Sequence, residues 1–155
     1  MFEPNQKRLL MDKISKLDNS VIGFTNGCFD ILHVGHVLYL SKCKEFCDVL
    51  ILGLNTDYSI KKLKGKERPI NDFYSRGIVL ENLKSIDFVI GFNEETPLKL
   101  IDFIKPNILF KGKDYKINQV IGSDLMKKTG GLTKLIDFEE GYSTTKIIDK
   151  IRKIR

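Results

Sequence analysis

The stretch Thr25-Asn26-Gly27-Cys28-Phe29-Asp30-Ile31-Leu32-His33-Val34-Gly35-His36 joins a short apolar run, Val21 to Thr25, to a helical pattern starting near Gly35-His36. A strand that turns directly into a helix is the repeating unit of α/β folds. The turn also carries the chain's only two histidines, three residues apart around a glycine. A helix that starts there points unpaired N–H groups and the positive end of its dipole outward, where a phosphate can bind. Gly35 allows close approach where a side chain would collide. Imidazoles at such a site donate to phosphate oxygens and stabilise charge building on a transferred phosphoryl group. The dipole alone disfavours a cationic His36 and a bound phosphate favours one, and the sequence leaves that contest open. The plainer alternative is two unrelated polar residues on a turn.

Outward from this stretch, strand and helix patterns alternate. Gln6 to Leu17 has helical spacing at Leu9, Leu10, Ile14 and Leu17. His36 to Phe46 is predicted helical. Asp48 to Asn55 is a nearly continuous apolar run, as expected of a strand buried on both faces of a parallel sheet. Lys61 to Asn71 has no apolar period and contains Gly65 and Pro69, which predicts an exposed loop. Asp72 to Leu83 is predicted helical, Asp87 to Phe92 a third strand. Thr96-Pro97 reads as an N-cap and first helical position of a helix ending near Lys105-Pro106. Asn107 to Lys111 is a fourth strand, Asn118 to Lys128 a helix closed by Gly130-Gly131, Leu132 to Asp137 a fifth strand, and Ser143 onward the last helix. The predicted fold is a single Rossmann-like α/β domain over 21–155, with a doubly wound, parallel five-stranded sheet, behind an N-terminal helical extension over 1–20.

Composition narrows the function classes. With 42% hydrophobic and 30% charged residues in 155, the chain fits one soluble globular domain. No apolar run reaches membrane-span length and no secretory pattern opens the chain, so a cytoplasmic protein without a membrane partner is expected. Cys28, Cys43 and Cys47 read as reduced thiols. His36, Cys43 and Cys47 share a helix face, but ligands two turns apart on one helix cannot close on one ion, so no protein-held metal is expected. The net charge of +6 calls for anionic partners. Neither an aromatic-rich sheet motif nor a helix-turn-helix pattern supports the non-enzymatic alternative, a basic nucleic-acid-binding module.

In doubly wound sheets ligands bind at the carboxyl ends of the strands, near the point where strand order reverses. The polar clusters follow the strands: the histidine turn, then Asn55-Thr56-Asp57, Phe92-Asn93-Glu94-Glu95, Lys111-Gly112-Lys113-Asp114-Tyr115 and Gly141-Tyr142-Ser143-Thr144-Thr145. The basic block Lys61, Lys62, Lys64, Lys66 and Arg68 is either a solvated loop or a phosphate cradle, and its place after strand two favours the second. Ser143-Thr144-Thr145 is compatible with both an N-cap and a phosphate site, since both use the same helix end. Asp57 is a candidate cap, and Tyr115 a candidate packing residue.

His33-Val34-Gly35-His36, preceded by Gly27-Cys28-Phe29-Asp30, resembles the H-x-G-H motif of the cytidylyltransferase-like nucleotidyltransferase superfamily. Ser143-Thr144-Thr145-Lys146-Ile147-Ile148 resembles its C-terminal motif, although Ile148 stands where a basic residue is common. Class I aminoacyl-tRNA synthetases share the first motif but have far longer catalytic domains. Within the superfamily the resemblance is to the adenylyltransferases that make ADP-heptose from heptose 1-phosphate. It extends from Phe24 to Lys150 and includes Leu63-Lys64-Gly65-Lys66-Glu67-Arg68-Pro69 and Gly122-Ser123. Glycerol-3-phosphate cytidylyltransferase and an FAD synthetase-type adenylyltransferase are the alternatives inside the superfamily.

The resemblance implies attack of heptose 1-phosphate on the α-phosphorus of ATP, with Mg²⁺ bridging triphosphate oxygens and pyrophosphate leaving. It implies catalytic roles for His33, His36 and Lys64. It implies nucleotide contacts from Thr25, Asn26, Gly27, Cys28, Phe29 and Gly35. Lys111, Gly112, Asp114 and Tyr115 would border the nucleotide, and Ser143, Thr144 and Thr145 the β- and γ-phosphates. On the sugar-phosphate side it implies Asp30, Asn55, Asp57, Lys61, Arg68 and Arg76. A homodimer or higher homo-oligomer is expected. So is a sugar kinase step on another polypeptide, because many relatives carry that kinase fused in front of this domain.

Overall fold

The computed structural model describes residues 12–16, 19–137, 139 and 141–154. Of the predicted helix over Gln6 to Leu17, only residues 12–14 are seen as helical; residues 1–11 and Leu17 lie outside the described residues.

Five strands form one sheet: β1 (Ile22–Gly27), β2 (Val49–Asn55), β3 (Phe88–Phe92), β4 (Ile108–Gly112) and β5 (Leu132–Ile136). Their order is β3-β2-β1-β4-β5 and every pairing is parallel, so the predicted doubly wound α/β sheet is what forms. Beyond residues 12–14, six α-helices flank it among the described residues: α1 (Val34–Lys44), α2 (Asp57–Lys64), α3 (Phe73–Glu81), α4 (Leu98–Ile104), α5 (Ser123–Thr129) and α6 (Thr144–Arg152). Every residue of β2 is buried, as its unbroken apolar run requires. Its side chains alternate between two cores. Ile51 joins Phe24, Phe92, Ile101 and Leu109 on one face; Leu50, Leu52 and Leu54 join Leu40, Leu80 and Phe110 on the other. Each such fully buried side chain contributes about 1.5–3 kcal/mol, which fixes β2 as an interior strand between β3 and β1.

Local structure departs from the sequence reading at four points. Helix α1 begins at Val34, not His36, because His33 takes the N-cap position in extended backbone (φ −142°, ψ 167°). The predicted loop over Lys61 to Asn71 is helical through Lys64: Thr56 caps α2 by accepting from Ser59 N, buried Ile60 anchors it, and Gly65 stops it at φ +93°. Lys61, Lys62 and Lys64 occupy its last turn, where cations suit the helix dipole. At α4 the N-cap is Pro97, not Thr96, and it makes no side-chain cap bond. The single helix predicted over Asn118 to Lys128 is a 3-10 turn, Ile117–Gln119, followed by α5. Gly122 separates the two at φ +101°, where an added Cβ would lie 2.6 Å from Ile101 Cδ1.

Candidate active site

Strand order reverses between β1 and β4. These neighbours pair only at Gly23↔Ile108 and Phe24↔Leu109, although the strands run on to Gly27 and Gly112. The crevice at such a reversal is where ligands bind in this architecture. A cavity of about 480 Å³ opens there, lined by Asn26 and Gly27 at the end of β1, by Cys28 and Phe29 just after it, and from α1 by His36 and Tyr39. Leu63 and Lys64 of α2 line another side, and Lys111, Gly112, Asp114 and Tyr115 after β4 the last. The volume is within the range of small-molecule sites.

The histidine pair is built by the helix start. His33 Nδ1 accepts from His36 N at 3.4 Å, and the two imidazoles stack with centroids 3.8 Å apart and planes 18° apart. Phe29, held at φ +45°, places its ring 5.0 Å from His36. Burial, then the neighbouring His33 and Lys64, pulls His36 down to about 4, and burial alone lowers His33. In the unliganded protein burial therefore works with the helix dipole against a cationic His36, and it disfavours the charged form of His33 as well. His36 Nδ1 is buried and has no hydrogen-bond partner among the described residues.

The start of α6 closes on the same spot from more than a hundred residues away in sequence. Tyr142 lies 6.5 Å from His33, ring to ring, and Thr144 Oγ1 donates to Ile31 O at 3.4 Å. Ser143 caps α6, accepting from Lys146 N at 3.1 Å, and Thr145 is exposed. Gly35 is buried between the two helix starts: a Cβ on it would lie 3.1 Å from Tyr142 Cβ and 3.2 Å from His33 Nδ1. Two helix N-termini, each with a hydrogen-bonding residue at its cap, thus face one place.

The remaining candidates divide. Lys64 is at the cavity; Lys61 is exposed one turn earlier and does not line it. Lys111 Nζ donates to Asn26 Oδ1 at 2.6 Å, and burial lowers it to about 8 against the pull of Asp114 and Cys28. Thr25 is fully buried beneath the floor, its hydroxyl 2.8 Å from Tyr39 Oη.

On the side expected to receive the sugar phosphate, several polar groups are engaged within the protein. Asp30 is 2% exposed; its carboxylate accepts from Ile70 N at 2.8 Å, Asn71 N at 2.9 Å and Arg68 Nε. Burial raises its pKa, but the bonds from Asn71, Ile70 and Arg68 together outweigh that and hold the carboxyl below its usual range. Arg76, also 2% exposed, donates to Asn71 O, Cys28 O, Asn55 O and Asp57 Oδ1 at 3.0, 2.6, 2.9 and 2.8 Å. Asn55 is buried and bonds Ser59 Oγ at 2.8 Å. Asp57 lies in the first turn of α2, which Thr56 caps. Asp30, Arg76, Asn55 and Asp57 therefore tie the basic segment and the ends of β1 and β2 together. A smaller cavity of about 140 Å³ lies against Phe29, Asp30, Asn71 and Arg76.

Sequence reading did not single out Tyr39, Leu63 or Asn71. Tyr39 was findable, since it follows His36 by three residues on the same helix face. Among the described residues no group of His, Cys, Asp or Glu side chains could hold a metal ion. No helix among them is long and apolar enough to cross a membrane.

Residues 24–153 match the sequence profile of the cytidylyltransferase-like family. The bifunctional protein HldE of Campylobacter jejuni subsp. doylei is 51% identical over 146 residues, which is 94% of this chain and 31% of that protein. HldE of Helicobacter pylori strain J99 is 50% identical over 93% of this chain and 30% of its own length. The chain thus spans about three-tenths of these curated relatives. Among solved structures, the lipopolysaccharide core biosynthesis protein of Thermoplasma volcanium superposes with a TM-score of 0.65 at 30% identity, covering 81% of this chain and all of that one. Pantothenate synthetase of Thermus thermophilus superposes with a TM-score of 0.63 over 94% of this chain and 68% of its own, at 13% identity, a likeness of fold alone.

Proposed function

The chain belongs to the cytidylyltransferase-like family, and from that premise we propose that it transfers AMP from ATP to D-glycero-β-D-manno-heptose 1-phosphate, releasing pyrophosphate and forming ADP-heptose for lipopolysaccharide or another surface glycan. The observation that carries the transfer chemistry is the convergence of the α1 and α6 N-termini on the stacked histidines, beside a cavity that also holds Lys64 and Lys111. The acceptor rests on the motifs between Leu63 and Tyr115, on relatives named HldE, and on a structural neighbour named for lipopolysaccharide core biosynthesis.

In this reading an acceptor phosphate oxygen attacks the α-phosphorus in line. The bond to the bridging oxygen of the β-phosphate breaks, and that oxygen leaves with pyrophosphate. No protein atom forms a covalent bond, so catalysis is positioning and charge stabilisation. The free N–H groups of α1 and α6 receive the β- and γ-phosphates. His33 Nδ1 is occupied as an acceptor, so neutral His33 carries its proton on Nε2 and can donate from there. A triphosphate beside the pair favours a cation, and the stack leaves room for one: two imidazolium rings 3.8 Å apart would repel. Lys64, at the cavity mouth, meets charge on the α-phosphate or the incoming sugar phosphate. Mg²⁺ would ride on the triphosphate oxygens and neutralise the leaving pyrophosphate. The enzyme works in the cytoplasm, as a homo-oligomer.

Pyrophosphate release is the test, with ATP or CTP offered against heptose 1-phosphate, glycerol 3-phosphate and FMN. Release confined to ATP with heptose 1-phosphate is expected. Release only with CTP and glycerol 3-phosphate, or only with ATP and FMN, overturns the acceptor assignment; tight nucleic-acid binding with no release from any pair overturns the enzyme.

A further inference from the structure

At the point where β1 and β4 stop pairing, one side chain reaches across the gap. Lys111 of β4 puts its Nζ 2.6 Å from Asn26 Oδ1 and 3.4 Å from Asn26 O at the end of β1. Both residues line the cavity. An ammonium donates and never accepts, so the Asn26 atom it touches must be the amide oxygen. The amide orientation is thereby fixed, and the two Nδ2 donors have no acceptor among the described residues. An unanchored asparagine could present either its oxygen or its nitrogen to a ligand; this one presents donors only.

Which part of a ligand they meet follows from the layout. Of the phosphate-binding features, His33, Gly35 and Ser143 stand at the two helix starts outside the cavity, whereas His36 and Lys64 line it together with Asn26. Lys111, Gly112, Asp114 and Tyr115, on and just after β4, line the cavity across the strand reversal from β1, and the one cation among them is engaged by Asn26. Resting on the nucleotidyl-transfer reading, we propose that Asn26 reads the nucleoside half of the nucleotide through its Nδ2 donors, and that Lys111 is the positioning residue that holds its amide in that orientation. The recognised atoms are uncharged acceptors, a ring nitrogen of the base or a ribose oxygen. This assigns the buried lysine a task other than contact with a phosphate. A lysine lowered to about 8 by burial is costly to keep, and a fixed donor pair in the pocket is what the fold obtains from it.

Calorimetric titration of the whole chain with adenosine, with AMP and with ATP in magnesium tests this. Asn26→Asp keeps an oxygen for Lys111 but removes both Nδ2 donors. It should fold as the parent does and bind adenosine, which carries no phosphate for the new carboxylate to repel, at least about tenfold more weakly. Lys111→Met, close in shape and unable to donate, should weaken adenosine as well. In ¹⁵N-labelled parent protein, the Asn26 side-chain amide pair, identified by its absence from Asn26→Asp, should shift on adding AMP. Parent-like affinity in both variants overturns the proposal. So does parent-like binding of adenosine by Asn26→Asp beside weakened AMP and ATP, which marks a phosphate contact. Failure of the parent itself to bind any nucleotide overturns the functional reading instead.

Discussion

The two histidines differ in what the fold does to them, and that difference is measurable. His36 is held neutral down to about 4, and His33 is lowered to a lesser degree. An unfolded histidine titrates near 6.5. Between pH 6.5 and about 4 the unfolded chain therefore binds a proton that folded His36 refuses. Stability from this group is complete above 6.5 and is lost as pH falls through that window. Urea unfolding of His36→Asn should show a shallower decline from pH 7 to 4.5 than the parent; parallel declines would contradict the assignment. Adding ATP and magnesium should raise the imidazole pKa values followed by NMR, because the bound phosphates favour the cation. Lys64 and Lys61 make a second contrast. Lys64 is at the cavity and Lys61 is not, so Lys64→Ala should lower kcat/KM by about 10²-fold or more, as loss of a transition-state charge contact does. Lys61→Ala should change it less than threefold. The sequence offered both lysines because it showed a basic block and not the helix that turns one toward the cleft and the other to water.

Helix starts are the elements that carry the site. His33, Thr56, Asp72 and Ser143 each cap the helix that follows a strand or loop on this rim. The caps of α3 and α6 were readable from residue type, since aspartate and serine are strong N-cap residues. The histidine cap of α1 was not, because an imidazole seldom fills that role. Helix α2 was hidden for a different reason. Its apolar anchors are few and its last turn is lysine, so the hydrophobic period that signals a helix is missing while the dipole still favours the arrangement. The close approach of α1 and α6 is an element-scale property that one glycine permits. Gly35→Ala puts a methyl group 3.1 Å from Tyr142 Cβ and 3.2 Å from His33 Nδ1. Turnover should fall at least about tenfold, because small misplacement of catalytic groups is expensive. The melting temperature should move by only a few degrees, because α6 contributes no residue to the buried core. Unchanged turnover would separate α6 from the chemistry.

For the molecule as a whole, the parallel five-stranded sheet and its doubly wound architecture were legible because β2's apolar run and the alternation of periods leave few other folds, whereas the strand order β3-β2-β1-β4-β5 came only from the structure. The rim's wiring was not. The resemblance implied a sugar-phosphate contact for Arg76; in the structure the ends of β1 and β2 leave Cys28 O and Asn55 O needing donors, and Arg76 supplies both from α3. Asp30 likewise serves the backbone of Ile70 and Asn71. Such needs belong to backbone groups with no sequence signature. Arg76→Met should therefore cost about 2 kcal/mol or more in urea unfolding, by stranding buried acceptors. A stability within roughly 0.5 kcal/mol of the parent, the scale of a surface substitution, would mean the rim holds without it. The proposed reaction moves an adenylyl group onto a sugar 1-phosphate at this rim, and ³¹P NMR of one reaction mixture tests it most directly. With ATP, Mg²⁺ and heptose 1-phosphate, pyrophosphate and a sugar-linked diphosphate should grow in equal amounts, and His36→Ala should slow both by about 10²-fold or more. Pyrophosphate without the sugar diphosphate, neither product at all, or an unchanged rate in His36→Ala would contradict the account.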